Sequence, residues 1–194
     1  MGVSRQQAAE NRSAIVAAAE RLFRVRGVDA VGLTELMKEA GFTQGGFYNH
    51  FKSKDALVAE VMEKAMHDRA DSPNAGSLDA QVTSYLSAAH RDNVEAGCPL
   101  SGFAGDAPRL TDAARACYAH GLAAYLDRLE PMVATEGATP EQTRRDALAV
   151  FSQMVGALVL SRAIAGTDSA LADEILDAGR QTLAGGRTGP GTPA

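Results

Sequence analysis

Residues 34–57 read TELMKEAGFTQGGFYNHFKSKDAL, and the spacing of this stretch decides how the rest of the chain is read. Leu36, Met37 and Ala40 recur at helical intervals up to Gly41, where glycine accepts the left-handed backbone that a sharp turn needs. Phe42, Phe47 and Phe51 supply a second apolar face just beyond it. Thr34 and Thr43 stand where the N-caps of two short helices belong, and Ser53 where a longer helix begins. The two apolar faces can close over each other and over Leu22 and Phe23. Thr43, Gln44, Gly45, Gly46, Tyr48 and Asn49 are then left on an outer face of small residues and of side chains that form hydrogen bonds. Gln44 and Asn49 carry the amide that pairs bidentately with adenine in the major groove, and the paired glycines let backbone come close to a duplex. Lys52 and Lys54 flank the next helix start, whose free amides and positive dipole end favour a phosphate.

Working outward, Ile15, Val16, Ala19, Leu22 and Phe23 predict an amphipathic helix over 6–26, stopped by Gly27. Leu57, Val58, Val61, Met62, Ala65 and Met66 predict another over 53–70. The DSPNAG run at 71–76 is the clearest linker signal. Further helices are expected at 77–96, 111–134, 140–165 and 169–184, with a broken stretch about 103–108; Thr139 caps the third of these, Pro140 opens it and Gly166 ends it. The chain therefore reads as all-α. Residues 1–53 form a three-helix head of helix-turn-helix type, with the fourth helix 53–70 bridging to a larger helical body at 71–184. A tail at 185–194 has nothing to pack and is expected to be disordered.

Composition agrees with an all-helical chain: of 194 residues 45% are hydrophobic, and strand-type alternation is hard to find. No apolar run is expected to reach membrane-spanning length, and with only Cys98 and Cys117 the chain reads as a cytoplasmic protein without disulfides. The formal net charge of −5 would argue against nucleic acid if it were evenly spread. It is not: the first seventy residues hold ten of the 19 Lys and Arg and nine of the 24 Asp and Glu, so they carry +1 and the remainder −6. Catalysis finds no foothold. His50, His67, His90 and His120 are scattered, no phosphate-binding glycine loop or nucleophile elbow is present, and neither a metal site nor a cofactor is expected.

The 34–57 stretch closely resembles the DNA-binding signature of the tetracycline repressor (TetR) family, with the Ala-Gly turn, the Phe-Tyr-x-His-Phe block and the Ser-Lys-Asp-x-Leu opening in register behind a long first helix. The resemblance is specific over roughly 10–60. It implies that Thr34, Tyr48, His50 and Lys54 contact the phosphate backbone of a double-stranded operator, with Gln44, Gly45, Gly46 and Asn49 over base edges. Asn49 occupies a variable position of the motif, which suits a role in operator choice. The resemblance also implies a homodimer joined through the last two helices, about 140–184, and a body that binds an unidentified small molecule. Leu148, Phe151, Val155, Leu158 and Val159 with Ile175, Leu176 and Leu183 form an apolar stripe compatible with such an interface, and equally with plain core. The expected function is transcriptional repression released by ligand or electrophile; an activator, or a regulator that answers to no ligand, would use the same head.

Tyr85, His90, Phe103, Tyr118, His120, Tyr125, Phe151 and Met154 are the candidate pocket walls, although most of them suit ordinary core packing. Cys98 lies in a Gly-Cys-Pro element resembling that of a TetR subgroup whose cysteine senses electrophiles or oxidants, with Arg91 and Arg109 near it in sequence to stabilise a thiolate. A small buried thiol is the competing reading.

Overall fold

A computed structural model describes residues 4–71 and 76–185, and among these there is no strand. Residues 72–75 of the expected linker and 186–194 of the expected tail lie outside the described residues. The helices are α1 (Arg5–Arg26), α2 (Leu33–Glu39), α3 (Lys54–Asp71), α4 (Leu78–Tyr85), α5 (Ala88–Asp92), α6 (Pro99–Gly102), α7 (Asp112–Val133), α8 (Pro140–Ile164) and α9 (Ser169–Gly185). Two 3-10 segments, Gln44–Asn49 and Ala107–Arg109, complete the set. The chain gathers into two compact units, one of residues up to 71 together with 94–122, the other of 72–93 together with 123 onward.

In the first unit α1 runs from Ser4, whose hydroxyl accepts from the Gln7 amide, to Gly27, whose amide closes on the Phe23 carbonyl at 2.8 Å. Gly27 has φ +81°, a conformation that disfavours any side chain. Ile15, Ala19 and Phe23 of α1 are fully buried together with Leu36 and Met37 of α2 and Leu57, Val61 and Met62 of α3. The chain then returns to this unit at Val94, and α6 packs against both α1 and α3. Arg24 makes this return specific: its guanidinium donates to the Glu95 and Gly97 carbonyls at 3.2 and 2.7 Å and also pairs with Glu20. Farther along, Arg109 pairs with Asp29 and Asp106 at 3.4 and 3.0 Å.

In the second unit α8 and α9 form an antiparallel pair. Thr139 and Gln142 make a reciprocal capping box before Pro140. Gly179 of α9 is so closely surrounded that a Cβ there would lie 2.9 Å from Leu86, at the end of α4, and 3.3 Å from Ala157 of α8. The expected single helix over 77–96 is in fact two, broken at Leu86–Ser87. The Ser87 hydroxyl caps α5 by accepting from the His90 amide at 3.1 Å, and distant arginines take carbonyls left free at the break and at the end of α5. Arg180 donates to Leu86, while Arg162 donates to Arg91 and His90 at 3.0 and 2.7 Å.

A second expectation also needs correction. By length and composition α8 is long and apolar enough to cross a membrane, whereas no such run was expected. Ser152, Gln153, Ser161 and Arg162 interrupt the apolar residues and disguise their total. Only 28% of the most apolar window is buried, so much of this surface is uncovered in one chain. Leu148, Val159 and Leu160 are 44%, 41% and 60% exposed, and Gly156 faces open space.

Helices α3 and α7 meet in the first unit at Gly121, where an added Cβ would lie 2.8 Å from the Met66 Cβ and nearer still to its Cγ and sulfur. Gly121→Ala is therefore expected to lower unfolding stability by about 1–3 kcal/mol. The same change in a Met66→Ala background is expected to cost less, because the Cγ and sulfur are gone, but not nothing, because the residue-66 Cβ at 2.8 Å remains; urea denaturation of the four variants would resolve the difference.

Candidate nucleic-acid interface

The turn between the two short helices is built as the sequence suggests. Gly41 has φ +83°, and the Phe42 amide bonds the Met37 carbonyl at 2.7 Å, closing α2. The second short helix is a 3-10 segment, Gln44–Asn49, not an α-helix. Its one fully buried side chain, Phe47, stacks on Phe51 with ring centroids 5.5 Å apart and meets Tyr48 edge-on at 5.3 Å.

With Phe47 held inward, Thr43, Gln44, Gly45, Tyr48 and Asn49 are exposed, as are Thr34 and Lys52, whereas Gly46, His50 and Lys54 are half-buried. Tyr48 is 68% exposed, high for an aromatic residue. Neither Gly45 nor Gly46 has positive φ. A Cβ on Gly45 would meet nothing within 4 Å, and one on Gly46 only the Met37 methyl at 3.7 Å. The fold itself therefore does not demand glycine at either place.

Two side chains are placed otherwise than their sequence positions suggest. Thr34 does not cap α2: Gly32 is the N-cap, Thr34 sits one residue inside the helix, and its hydroxyl donates to Gln44 Oε1 at 2.7 Å. Lys54 turns its amine to the Val28 carbonyl at 2.6 Å, 5.8 Å from the Phe23 ring centre, while Lys52 remains exposed. Ser53 does cap α3, accepting from the Ala56 amide at 3.1 Å.

Arg12 is the functional residue that sequence reasoning passed over. Its guanidinium donates to the His50 carbonyl at the end of the 3-10 segment, pairs with Glu60 of α3 through Nε at 3.0 Å and lies 4.2 Å from the Phe51 ring centre. One cation thus ties α1, α3 and the exposed segment together. Contacts across 38 and 48 residues leave no local sequence signal.

The family model for bacterial regulatory proteins of the tetR family matches residues 15–61, which spans the second half of α1, α2, the turn, the 3-10 segment and the start of α3. The helix-turn-helix region of the chain, residues 15–61, is that of the tetR family. The chain is 43% identical over 60 residues to the HTH-type transcriptional regulator AcrR of Shigella flexneri, a match covering 31% of this chain and 28% of that one. Its matches to several further relatives likewise span only about a quarter to a third of their lengths. An uncharacterized HTH-type transcriptional regulator of Mycobacterium tuberculosis is 26% identical over 162 residues, covering 78% of this chain and 84% of that one. In fold the chain is similar to a TetR transcriptional regulator from Chloroflexus aurantiacus, with a TM-score of 0.72 at 20% identity over 93% of this chain and 95% of that one. The all-α architecture of a helix-turn-helix head on a helical body is thereby that of the tetR family.

The candidate pocket residues fall into two groups. In the first unit Cys98 is buried at 7% exposure and Phe103 at 0%, and the Tyr118 hydroxyl donates to the Leu100 carbonyl at 2.6 Å. Burial, with a smaller contribution from the neighbouring Cys98, pushes the Tyr118 phenol up to about 12, so it stays a neutral donor. Arg109 is engaged by Asp29 and Asp106, and Arg91 by Asp92 and Asp173 at 2.7 and 2.5 Å. In the second unit Tyr85, His90, Tyr125 and Phe151 gather, with centroids 4.7 Å apart for Tyr85 and His90 and 4.4 Å for Tyr125 and Phe151; Met154 is fully buried. The Tyr125 hydroxyl accepts from Gln81 at 3.0 Å. His120, also expected in a pocket wall, is exposed on α7.

Arg12→Ala removes the donor to His50 and leaves Phe51 without its cation. It is expected to cost about 1–2 kcal/mol, a charged hydrogen bond discounted for partial exposure. Faster amide exchange across 44–51 than across α1 would locate the loss at the recognition segment.

Proposed function

We propose that this tetR-family chain is a homodimeric transcriptional repressor that binds a double-stranded DNA operator and lets go when a small molecule or an electrophile acts on it. One observation carries the DNA-binding reading: a row of donors, acceptors and glycines, none needed by the packing of the chain, is held outward on a segment anchored by Phe47 and Arg12. Gln44 and Asn49 are assigned to base edges, Gly45 and Gly46 to close approach of backbone, and Thr43, Tyr48, His50 and Lys52 to phosphates. Lys54 must give up the Val28 carbonyl to reach a phosphate, so its share of the electrostatic grip is smaller than that of Lys52.

The dimer reading rests on the uncovered apolar stripe of α8, where Leu148, Val159 and Leu160 flank Gly156, a residue that would let a second helix come close. Two heads so joined would reach successive major grooves about 34–36 Å apart. Release is assigned to the segment 94–110. It carries Cys98 and Phe103, it is tied to the end of α1 by Arg24, and its α6 packs on α3. A ligand acts only by binding the non-operator arrangement more tightly, and a shift of this segment would carry α1 and α3 with it.

A gel-shift titration with DNA from upstream of the protein's own gene tests the whole reading. Asn49→Ala is expected to lose about 1–3 kcal/mol at one base pair, whereas Lys52→Ala weakens all sequences and lowers the salt slope by about 1. An unchanged salt slope would mean that this face does not meet DNA. Repeating the titration after thiol alkylation separates the routes of release: relief that vanishes in Cys98→Ser assigns it to that thiol, and relief that survives the substitution removes Cys98 from the mechanism.

Val159→Glu tests the dimer. Sedimentation should find a monomer at concentrations where the unmodified chain is a dimer, and operator affinity should fall by at least about tenfold as the two heads lose their linkage. A dimer that persists unchanged would place the interface elsewhere.

A further inference from the structure

We propose that Thr34 is a specificity-determining positioning residue, whose hydroxyl fixes the orientation of the Gln44 amide and thereby the base that Gln44 reads. The inference rests on the DNA-binding reading above and departs from the phosphate contact that the family resemblance implies for Thr34.

The departure follows from counting protons. A threonine hydroxyl has one proton to donate, and phosphate oxygens only accept. In the structure that proton is given to Gln44 Oε1 at 2.7 Å, between two exposed side chains. Because Gly32 takes the N-cap, Thr34 is not needed to close α2. Thr43 makes no side-chain cap bond at the start of the 3-10 segment.

A free glutamine amide can turn over and offer donor and acceptor in either order. Held through one lone pair of Oε1, the Gln44 amide keeps its other lone pair and both Nε2 hydrogens, but in a single order. Adenine presents an acceptor at N7 beside a donor at N6, and the major groove shows these in opposite directions for A·T and T·A pairs. An amide of fixed polarity accepts one direction and meets like groups in the other. Fixing it before DNA arrives also removes a rotation that binding would otherwise have to freeze. Thr34 on α2 thus selects sequence without touching a base.

The test begins by selecting the preferred duplex of the full chain from a random-sequence library. Affinities are then measured for that duplex, for each single base-pair replacement of it and for a scrambled duplex, using Thr34→Val, Thr34→Ser, Gln44→Ala and the Thr34→Val/Gln44→Ala pair. Thr34→Val is expected to keep its affinity for the scrambled duplex and to lose roughly 3- to 10-fold of discrimination at one base pair, the worth of one hydrogen bond. That base pair should be the one Gln44→Ala flattens. Thr34→Ser should restore the discrimination, and Thr34→Val should change nothing in the Gln44→Ala background. If Thr34→Val weakens preferred and scrambled duplexes alike, or keeps its full effect without Gln44, the hydroxyl serves a phosphate and the proposal fails. If the unmodified chain selects no sequence at all, the DNA-binding reading itself falls, an outcome distinct from either.

Discussion

A six-residue 3-10 segment has no means of holding its own shape in water, since its hydrogen bonds are few and poorly aligned. The surface proposed to face DNA therefore depends on the burial of Phe47, which fastens the segment to a core that α1, α2 and α3 would form in any case. Phe51 stacks on it, and Arg12 takes up the His50 carbonyl left over where the segment ends. The orientation of every side chain from Gln44 to Asn49 follows from that single inward ring. A polar residue at 47 would leave these six residues without a fixed outer face, even if all of them were kept.

The same economy extends to the segment that returns at Val94. It has little regular structure, only a four-residue α6 and one 3-10 turn, and it is defined mainly by what α1 offers it. Arg24 supplies donors for two of its carbonyls, and Asp29 draws in Arg109. Charged hydrogen bonds of this kind are directional, so displacing the segment would break them together rather than stretch them a little.

Much of this was legible in the sequence wherever one local signal sufficed. The extents of α1, α3, α7, α8 and α9, the left-handed Gly41 and the Thr139 cap all follow from periodicity and capping chemistry within a few residues. What sequence could not show depends on partners far along the chain. The break at Leu86–Ser87 is tolerated because Arg180 arrives to bind the freed Leu86 carbonyl, while Arg162 takes two carbonyls at the end of α5. Thr34 looked like a cap because its residue type suits one, yet Gly32 precedes it with the required extended backbone. Lys54 looked free, and only the fold brings the Val28 carbonyl within reach of its amine. Arg12 carried no signal of any kind. Arg91 and Arg109, near Cys98 in sequence, turn out to be occupied by carboxylates.

The uncovered face of α8 ties what the chain does to how much of it there is. If that stripe joins two copies, the paired form grows with the square of chain concentration when the protein is scarce. A site needing both heads would then stay empty below a threshold and fill steeply above it. A repressor that also governed its own synthesis would be held near that threshold, where small changes in abundance count most. Steepness of this kind needs no cooperativity between operators and no second ligand. It would come from leaving Leu148, Val159 and Leu160 for another copy of the same helix to bury.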